Sequence, residues 1–476
     1  MQEPSSFGSR RPVVLIAGAG IGGLMMGILL ERACIPYQIF ERAREIKPYG
    51  AVVSLNGSIQ PALEQLGLLD EISDSAYPCY SISLYHNTLE HIGSISVKDT
   101  KEVTGYENLM ITRKKLYDIL LKKIPSYKIS FRKRIIDVED IDNRVVIHCS
   151  DNTSYAGSLL IGADGACSSI RQSLYRRLNE DGLLPKKDTR DFGVSYVSIV
   201  GVAKPKNPYI YSQLQSDFPP YDSVVGLGGM CWGVVALPNK EISWNINIQL
   251  TEKEASSQRS NSTSWSAEAN IGLLKKLSDL PSPWGGTMGN LIDMTPVELR
   301  SKAIVEDKLY ETWSHGRTVL IGDARHKMLV TSGLGTVNAI QDAIILSNCL
   351  YDMPDSSIRS ISNAFQEYFD QRYPHAKKTF KSSAVLSGMI KGQTWKDKLM
   401  RKLVFHHLPN WVRVRNDKNY AAYRPHVTWL QPIPNRGTGH VLPQKASRRF
   451  VFEQTRMQTA ERLSAIIADA AAANIR

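Results

Sequence analysis

A glycine-rich turn between an apolar strand and a helix stands near the start of the chain and narrows its fold more than any other feature. Residues 13–17 are apolar and partly β-branched, which suits a buried parallel strand. Gly18-Ala19-Gly20-Ile21-Gly22-Gly23 follows, then a helix-like segment through Arg32. Residues 37–40 read as a second strand that ends at Glu41. Gly18, Gly20 and Gly23 fit GxGxxG: the first permits a tight turn, the second lets a diphosphate approach the backbone, and the third lets helix and strand pack closely. Free N–H groups and the helix dipole then favour an anion at the helix start. An acid at the end of the second strand can accept hydrogen bonds from ribose hydroxyls, and Glu41 stands there. The competing reading is a glycine turn without a ligand, and the motif does not separate FAD from NAD.

Two later segments have the same strand–turn–helix character. Residues 159–162 read as a strand that leads into Gly162-Ala163-Asp164-Gly165, with a helix after Ser168 that contains Arg171. Residues 318–321 read as a buried strand before Gly322-Asp323-Ala324-Arg325-His326. Gly333-Leu334-Gly335-Thr336-Val337-Asn338 then opens another helix, a second cradle for an anion or a carbonyl oxygen. Between these segments, from about residue 192, strands at 194–203, 224–228, 232–237 and 244–250 are separated by Pro, Gly and Asn. A sheet-rich second domain is expected there. The expected division is 10–190 and 301–400 for two parts of a dinucleotide-binding domain, 191–300 for the sheet-rich domain, and 401–476 for a helical C-terminal extension.

In this order the three motifs resemble the class A FAD-dependent monooxygenases of the aromatic-hydroxylase type, with a leaning toward fungal secondary-metabolism members. The resemblance spans residues 13–400. It implies an α/β fold in which a Rossmann-like FAD-binding domain of the GR2 type is interleaved with a sheet-rich substrate domain. It implies that Gly18, Gly20 and Gly23 hold the diphosphate and that Glu41, with Arg42 beside it, meets the adenosine ribose. Ala51 matches a backbone position near the cofactor, and Arg113 matches an arginine that opens a helix beside FAD. Asp164 matches the acid of the central motif, Asp323 the ribityl contact, and Gly335 with Thr336 the pyrimidine side of the flavin. The implied reaction uses NADPH or NADH to reduce FAD. Reduced flavin captures O2 as a hydroperoxide, which hydroxylates or epoxidises a small aromatic or polyketide/terpenoid-like metabolite. No second GxGxxG is present for a separate nicotinamide domain, which agrees with this family.

The chain departs from the family near the expected flavin ring. Val330 stands where a proline is usual, Leu334 where a glutamine or another polar residue is usual, and Arg325 where a small residue is usual. Arg325 is the weak catalytic candidate: it either adds positive charge near flavin or substrate, or points outward as a salt-bridge partner. His326 reads as a loop histidine rather than a general base. These departures keep open an alternative: the same fold as an isomerase, cyclase or oxidase without oxygen insertion. Trp232 and Trp244 are aromatic candidates for the substrate pocket, although a core role suits each better. Tyr423-Arg424-Pro425 and Arg436-Gly437-Thr438 resemble extensions of fungal members that cover the substrate mouth or form a subunit contact.

The net charge of +12 admits an anionic partner, but the basic residues are scattered and no nucleic-acid motif accompanies them. Six cysteines without CxxC pairing exclude a zinc cluster and point to a reduced, cytoplasmic setting. No transmembrane span is expected. The apolar run 13–30, with Arg10 and Arg11 ahead of it, leaves an N-terminal signal anchor as a lesser reading.

Overall fold

The computed structural model describes residues 13–45, 52–189, 195–255, 271–327, 333–391, 395–407, 418 and 421–473. A six-stranded sheet carries the N-terminal strand in its interior. Val14–Ala17 pairs in parallel with Tyr37–Phe40 on one side and Leu159–Gly162 on the other. Thr318–Leu320 pairs in parallel with Leu159–Gly162, and Ile129–Ser130 with Tyr37–Phe40. Val14–Ala17 and Leu159–Gly162 are buried at every position, as a parallel strand covered on both faces requires.

The helix Ile21–Arg32 buries most of its length against the sheet and the helix Gly335–Tyr351. The run 13–30 is therefore a strand and a core helix rather than an anchor. Among the described residues no helix is long and apolar enough to cross a membrane. Glycine is required twice at this entry. Gly18 has φ +97°, and a Cβ there would lie 2.7 Å from the Ala163 carbonyl oxygen. A Cβ on Gly23 would meet the Gly18 carbonyl oxygen at 2.0 Å, so the helix can start this close to the strand only with glycine in its first turn.

The second large sheet has seven strands in the order Arg300–Glu306, Ser195–Ala203, Glu241–Gln249, Cys231–Leu237, Tyr221–Val225, Ser81–His86 and His91–Ser96. The expected segment 191–300 contributes only the four strands between Ser195 and Gln249. Ser81–His86 joins from far upstream by pairing in parallel with Tyr221–Val225. One face packs Ile199, Trp232, Trp244 and Ile246 against the helices Ile271–Leu277 and Met288–Asp293. The opposite face meets Val52 and Met110 of a small three-stranded sheet.

The C-terminal part is helical, as expected, with long helices Ile358–Lys391 and Arg448–Ala473. Residues 421–447, before the second of these helices, are fastened to the body. Arg424 donates to the carbonyls of Thr104 and Val103, each at 2.9 Å, and Thr438 N–H donates to Glu102 at 2.9 Å. These bonds satisfy carbonyls left open where the helix Asp99–Thr104 ends at Gly105. The Tyr423-Arg424-Pro425 and Arg436-Gly437-Thr438 segments thus close a helix end within the chain.

Candidate functional site

The three turns meet where the parallel strands of the first sheet end. Ala163 and Asp164 lie directly against Gly18. Arg171, 6% exposed, donates from Nη1 to the Ala324 carbonyl at 2.7 Å and from Nη2 to the Ala166 carbonyl at 2.9 Å. Gly335, at the start of its helix, stands close to Asp323, with 3.9 Å between its Cβ position and Oδ1. A crevice beyond the carboxyl ends of parallel strands is where such sheets bind ligands.

The polar groups of this crevice fit a dinucleotide. Gly20 caps the first helix, and a Cβ there would have only ordinary contacts, at 3.6 Å and beyond. Among the described residues no atom therefore demands glycine at Gly20, whereas an approaching diphosphate would. Arg113 opens the helix Arg113–Leu121, in which Thr112 caps the Lys115 N–H, and its buried Nε has no partner. Asp164 Oδ2 accepts from Ser169 Oγ and Ile170 N–H, each at 3.2 Å, while the buried Oδ1 has no partner. Burial pushes the Asp164 carboxyl above its ordinary range. Asp323 is exposed, on the one-turn helix Gly322–Ala324. Buried polar atoms without partners are costly, and a ligand that supplies hydrogen bonds removes that cost.

Glu41 has a second occupation that its position in the sequence did not reveal. Its Oε2 accepts the Ala19 N–H and its Oε1 the Ala43 N–H, both at 2.8 Å. The carboxylate braces the glycine turn, and each oxygen keeps a free lone pair for a ribose hydroxyl. Arg42 is exposed beside it. Thr336 lies half-buried in the first turn of the helix Gly335–Tyr351. Ala51 and Val330 lie outside the described residues.

Arg325 is a salt-bridge partner, as one expectation had it, but it points inward to Asp342 and not outward. It is fully buried, so its guanidinium lies behind the turn and does not reach solvent. It pairs with Asp342 through Nε at 2.8 Å and through Nη2, and lies 3.3 Å over the Trp313 ring. His326 is also buried, with Nε2 3.1 Å from Asp342 Oδ2. Sequence reading missed Asp342, whose helix is too uniformly buried to show a polar face.

Trp232 and Trp244 are core residues. Their indole N–H groups donate to the Pro281 carbonyl and Thr295 Oγ1, each at 2.8 Å, on the face turned away from Val52. The other face is more polar. Ser198 and Asn247 pair across neighbouring strands there, each 3% exposed, and Ser198 Oγ and Asn247 Oδ1 are buried without partners. Tyr221 and Asn245 hydrogen-bond on the same face. Val52–Leu55 connects this face to the crevice, since Ser54 Cβ is 3.9 Å from the Cβ position of Gly333. Among the described residues no group of His, Cys, Asp and Glu is arranged to hold a metal.

Comparison with known proteins agrees with this geometry. A family model described as FAD binding domain matches residues 11–187 and 289–382. The FAD-dependent monooxygenase ptmM of Penicillium ochrochloron is 29% identical over 388 residues, covering 78% of this chain and 87% of its own. The aurachin C monooxygenase/isomerase of Stigmatella aurantiaca is 28% identical over 338 residues, covering 71% and 80%. The crystal structure of Klebsiella pneumoniae HpxO complexed with FAD and uric acid superposes with a TM-score of 0.69 at 19% identity, covering 87% of this chain and 97% of that one. The chain belongs to the FAD binding domain family, and over most of its length it is similar to proteins named FAD-dependent monooxygenases.

Proposed function

We propose that this protein uses NADPH or NADH to reduce its FAD and then inserts one atom of O2 into a small aromatic or polyketide/terpenoid-like metabolite. The observation that carries this reading is the convergence of the Gly18, Asp164 and Asp323 turns on one crevice. Gly18 touches Ala163, and Arg171 binds Ala324. When bound, FAD supplies the oxygen activation, and the protein supplies binding, orientation and exclusion of water. Gly20 and the first helix would face the diphosphate, Glu41 and Arg42 the ribose, and Asp323 the ribityl chain. Arg113 and Asp164 would give the cofactor their unpartnered Nε and Oδ1. Gly335 and Thr336 would lie along the pyrimidine edge of the flavin.

The substrate would lie between the crevice and the polar face of the seven-stranded sheet. Ser198 and Asn247 offer it two hydrogen-bonding oxygens among apolar neighbours, a pattern that suits a mostly apolar molecule with one or two polar groups. The relatives' names support the oxygenase reading: ptmM is named a monooxygenase, and HpxO was crystallised with uric acid, a small heteroaromatic molecule. The six cysteines, all free, support an intracellular location.

A second reading keeps fold and cofactor but omits oxygen insertion. Leu334 in place of a polar residue and the monooxygenase/isomerase name of the Stigmatella relative favour it. Anaerobic mixing with NADPH, then oxygen, across a panel of phenols and terpenoid phenols separates the two. Substrate-accelerated bleaching and a product that gains one oxygen atom support the first reading. Indifference to both nicotinamides would favour the second.

A further inference from the structure

Asp342 sits fully buried on the helix Gly335–Tyr351 and gathers donors from both sides of Asp323. Its Oδ2 accepts the Gly322 N–H at 2.9 Å and Arg325 Nε at 2.8 Å, and lies 3.1 Å from His326 Nε2. Its Oδ1 accepts from Arg325 Nη2 and from Arg372 Nε, the latter at 2.8 Å. Arg372 continues to Asn338 Oδ1 at 3.0 Å. One carboxylate therefore fixes residues 322, 325 and 326, and Asp323 is suspended between them.

The fully buried charges of this cluster do not cancel among themselves, and the exposed Asp323 carboxylate beside them is the further anion that acts on His326. Arg325, Arg372 and Asp342 are all fully buried. Burial pushes the Asp342 carboxyl up, but Arg325 and Arg372 pull it well below its ordinary range, so it is ionised. Burial, reinforced by Arg325, lowers the His326 imidazole pKa, so His326 is neutral at pH 7. Tyr368, whose hydroxyl donates to the Leu320 carbonyl, is neutral as well. Two guanidinium groups face one carboxylate, and Nη1 of each arginine has no partner.

Arg325 is the surplus member. Without it Asp342 would keep Arg372, the Gly322 N–H and His326. A buried cation beyond the needs of its partner costs desolvation free energy. Buried ionisable groups perturbed in this way cluster at functional sites.

We propose that Arg325 is a positioning residue for the cofactor: it draws the Gly322–Ala324 turn onto the helix that starts at Gly335, and it places behind Asp323 a positive charge that the buried carboxylate Asp342 does not offset. This rests on the reading that Asp323 meets FAD. The charge favours a ligand that bears a diphosphate, and it favours adding electrons to a flavin held at Asp323. In this chain the turn is held from within by that side chain and by the Gly322 N–H, both on Asp342.

The test compares Arg325→Met, which keeps packing over Trp313 and removes the charge, with Arg325→Lys, which keeps the charge. Apoprotein melting, FAD affinity by fluorescence titration and the midpoint potential of bound FAD are measured for each. Arg325→Met is expected to melt at or above the wild-type temperature, to bind FAD about tenfold more weakly, and to hold it at a lower potential. Arg325→Lys is expected to recover most of the affinity and the potential. Failure of Arg325→Met to fold overturns the proposal, because Asp342 would then need Arg325. Wild-type affinity and potential in a folded Arg325→Met overturn it as well. Asp323→Ala run in parallel tests the underlying placement separately, since stoichiometric FAD in that variant contradicts the placement whatever Arg325→Met does.

Discussion

Arg171 and Ala324 are joined by a 2.7 Å hydrogen bond from Nη1 to the backbone carbonyl, across 153 residues of sequence. The same guanidinium holds the Ala166 carbonyl and lies 4.6 Å over the Tyr310 ring. One buried side chain thus fixes the turn of Asp164 relative to the turn of Asp323.

Replacing Arg171 with Leu leaves two carbonyls without their charged donor. Hydrogen bonds to charged groups contribute roughly 2 kcal/mol each. Arg171→Leu is expected to lower stability by about that amount or more, and to weaken FAD binding in the fraction that folds. Urea unfolding with a parallel FAD titration checks both. Unchanged FAD affinity would show that the two turns hold their places without Arg171.

Gly18 and Gly20 are expected to respond differently to alanine. At Gly18 the positive φ and the 2.7 Å approach to Ala163 oppose any Cβ, so Gly18→Ala costs about 2 kcal/mol or more of stability. At Gly20 a Cβ has ordinary room in the protein, so Gly20→Ala folds normally and loses cofactor affinity. Melting of the two apoproteins followed by FAD titration separates the roles. Equal destabilisation of both would mean that Gly20 also serves the fold.

Asp342 links stability to acid. Its folded pKa lies well below the unfolded value of about 3.9. Its contribution is therefore complete above that value and falls away as pH drops from about 4 toward the folded pKa. Asp342→Asn leaves two buried guanidinium groups facing no charge and is expected to cost about 3–5 kcal/mol at pH 7. Below pH 4 the gap between wild type and variant should narrow. A gap that stays constant from pH 7 to pH 3 would contradict the ionised, doubly paired carboxylate.

Ser198→Ala removes a buried hydroxyl that has no partner, so it should raise apoprotein stability by about 1 kcal/mol. If that hydroxyl meets the substrate, the variant also loses substrate-accelerated NADPH oxidation through a higher KM, with FAD content unchanged. A fall in stability would reveal a protein partner for the hydroxyl.

The glycine turn was legible in the sequence because its constraints are local: a strand, a turn with φ above zero at Gly18, and a helix start follow one another within a few residues. The positions of Asp164 and Asp323, each shortly after a buried strand, were legible for the same reason. The seven-stranded sheet was only half legible, because Ser81–His86 joins by parallel pairing with a distant strand that no local pattern announces. Arg325 was misread because an arginine after an acid in a glycine-rich loop is expected at the surface. Its burial depends on Asp342 and Trp313, which arrive from two other segments. Glu41 was placed correctly at its strand end, yet its bonds to Ala19 and Ala43 depend on the fold of the turn itself.

The deciding measurement is the FAD content of the purified protein beside that of Asp323→Ala, read from the visible spectrum and from flavin released on denaturation. The wild type should be yellow with one FAD per chain, and Asp323→Ala should be folded and colourless. A wild type that cannot be loaded with FAD, or an Asp323→Ala variant that keeps it stoichiometrically, would contradict the assignment of the three-turn crevice as the cofactor site.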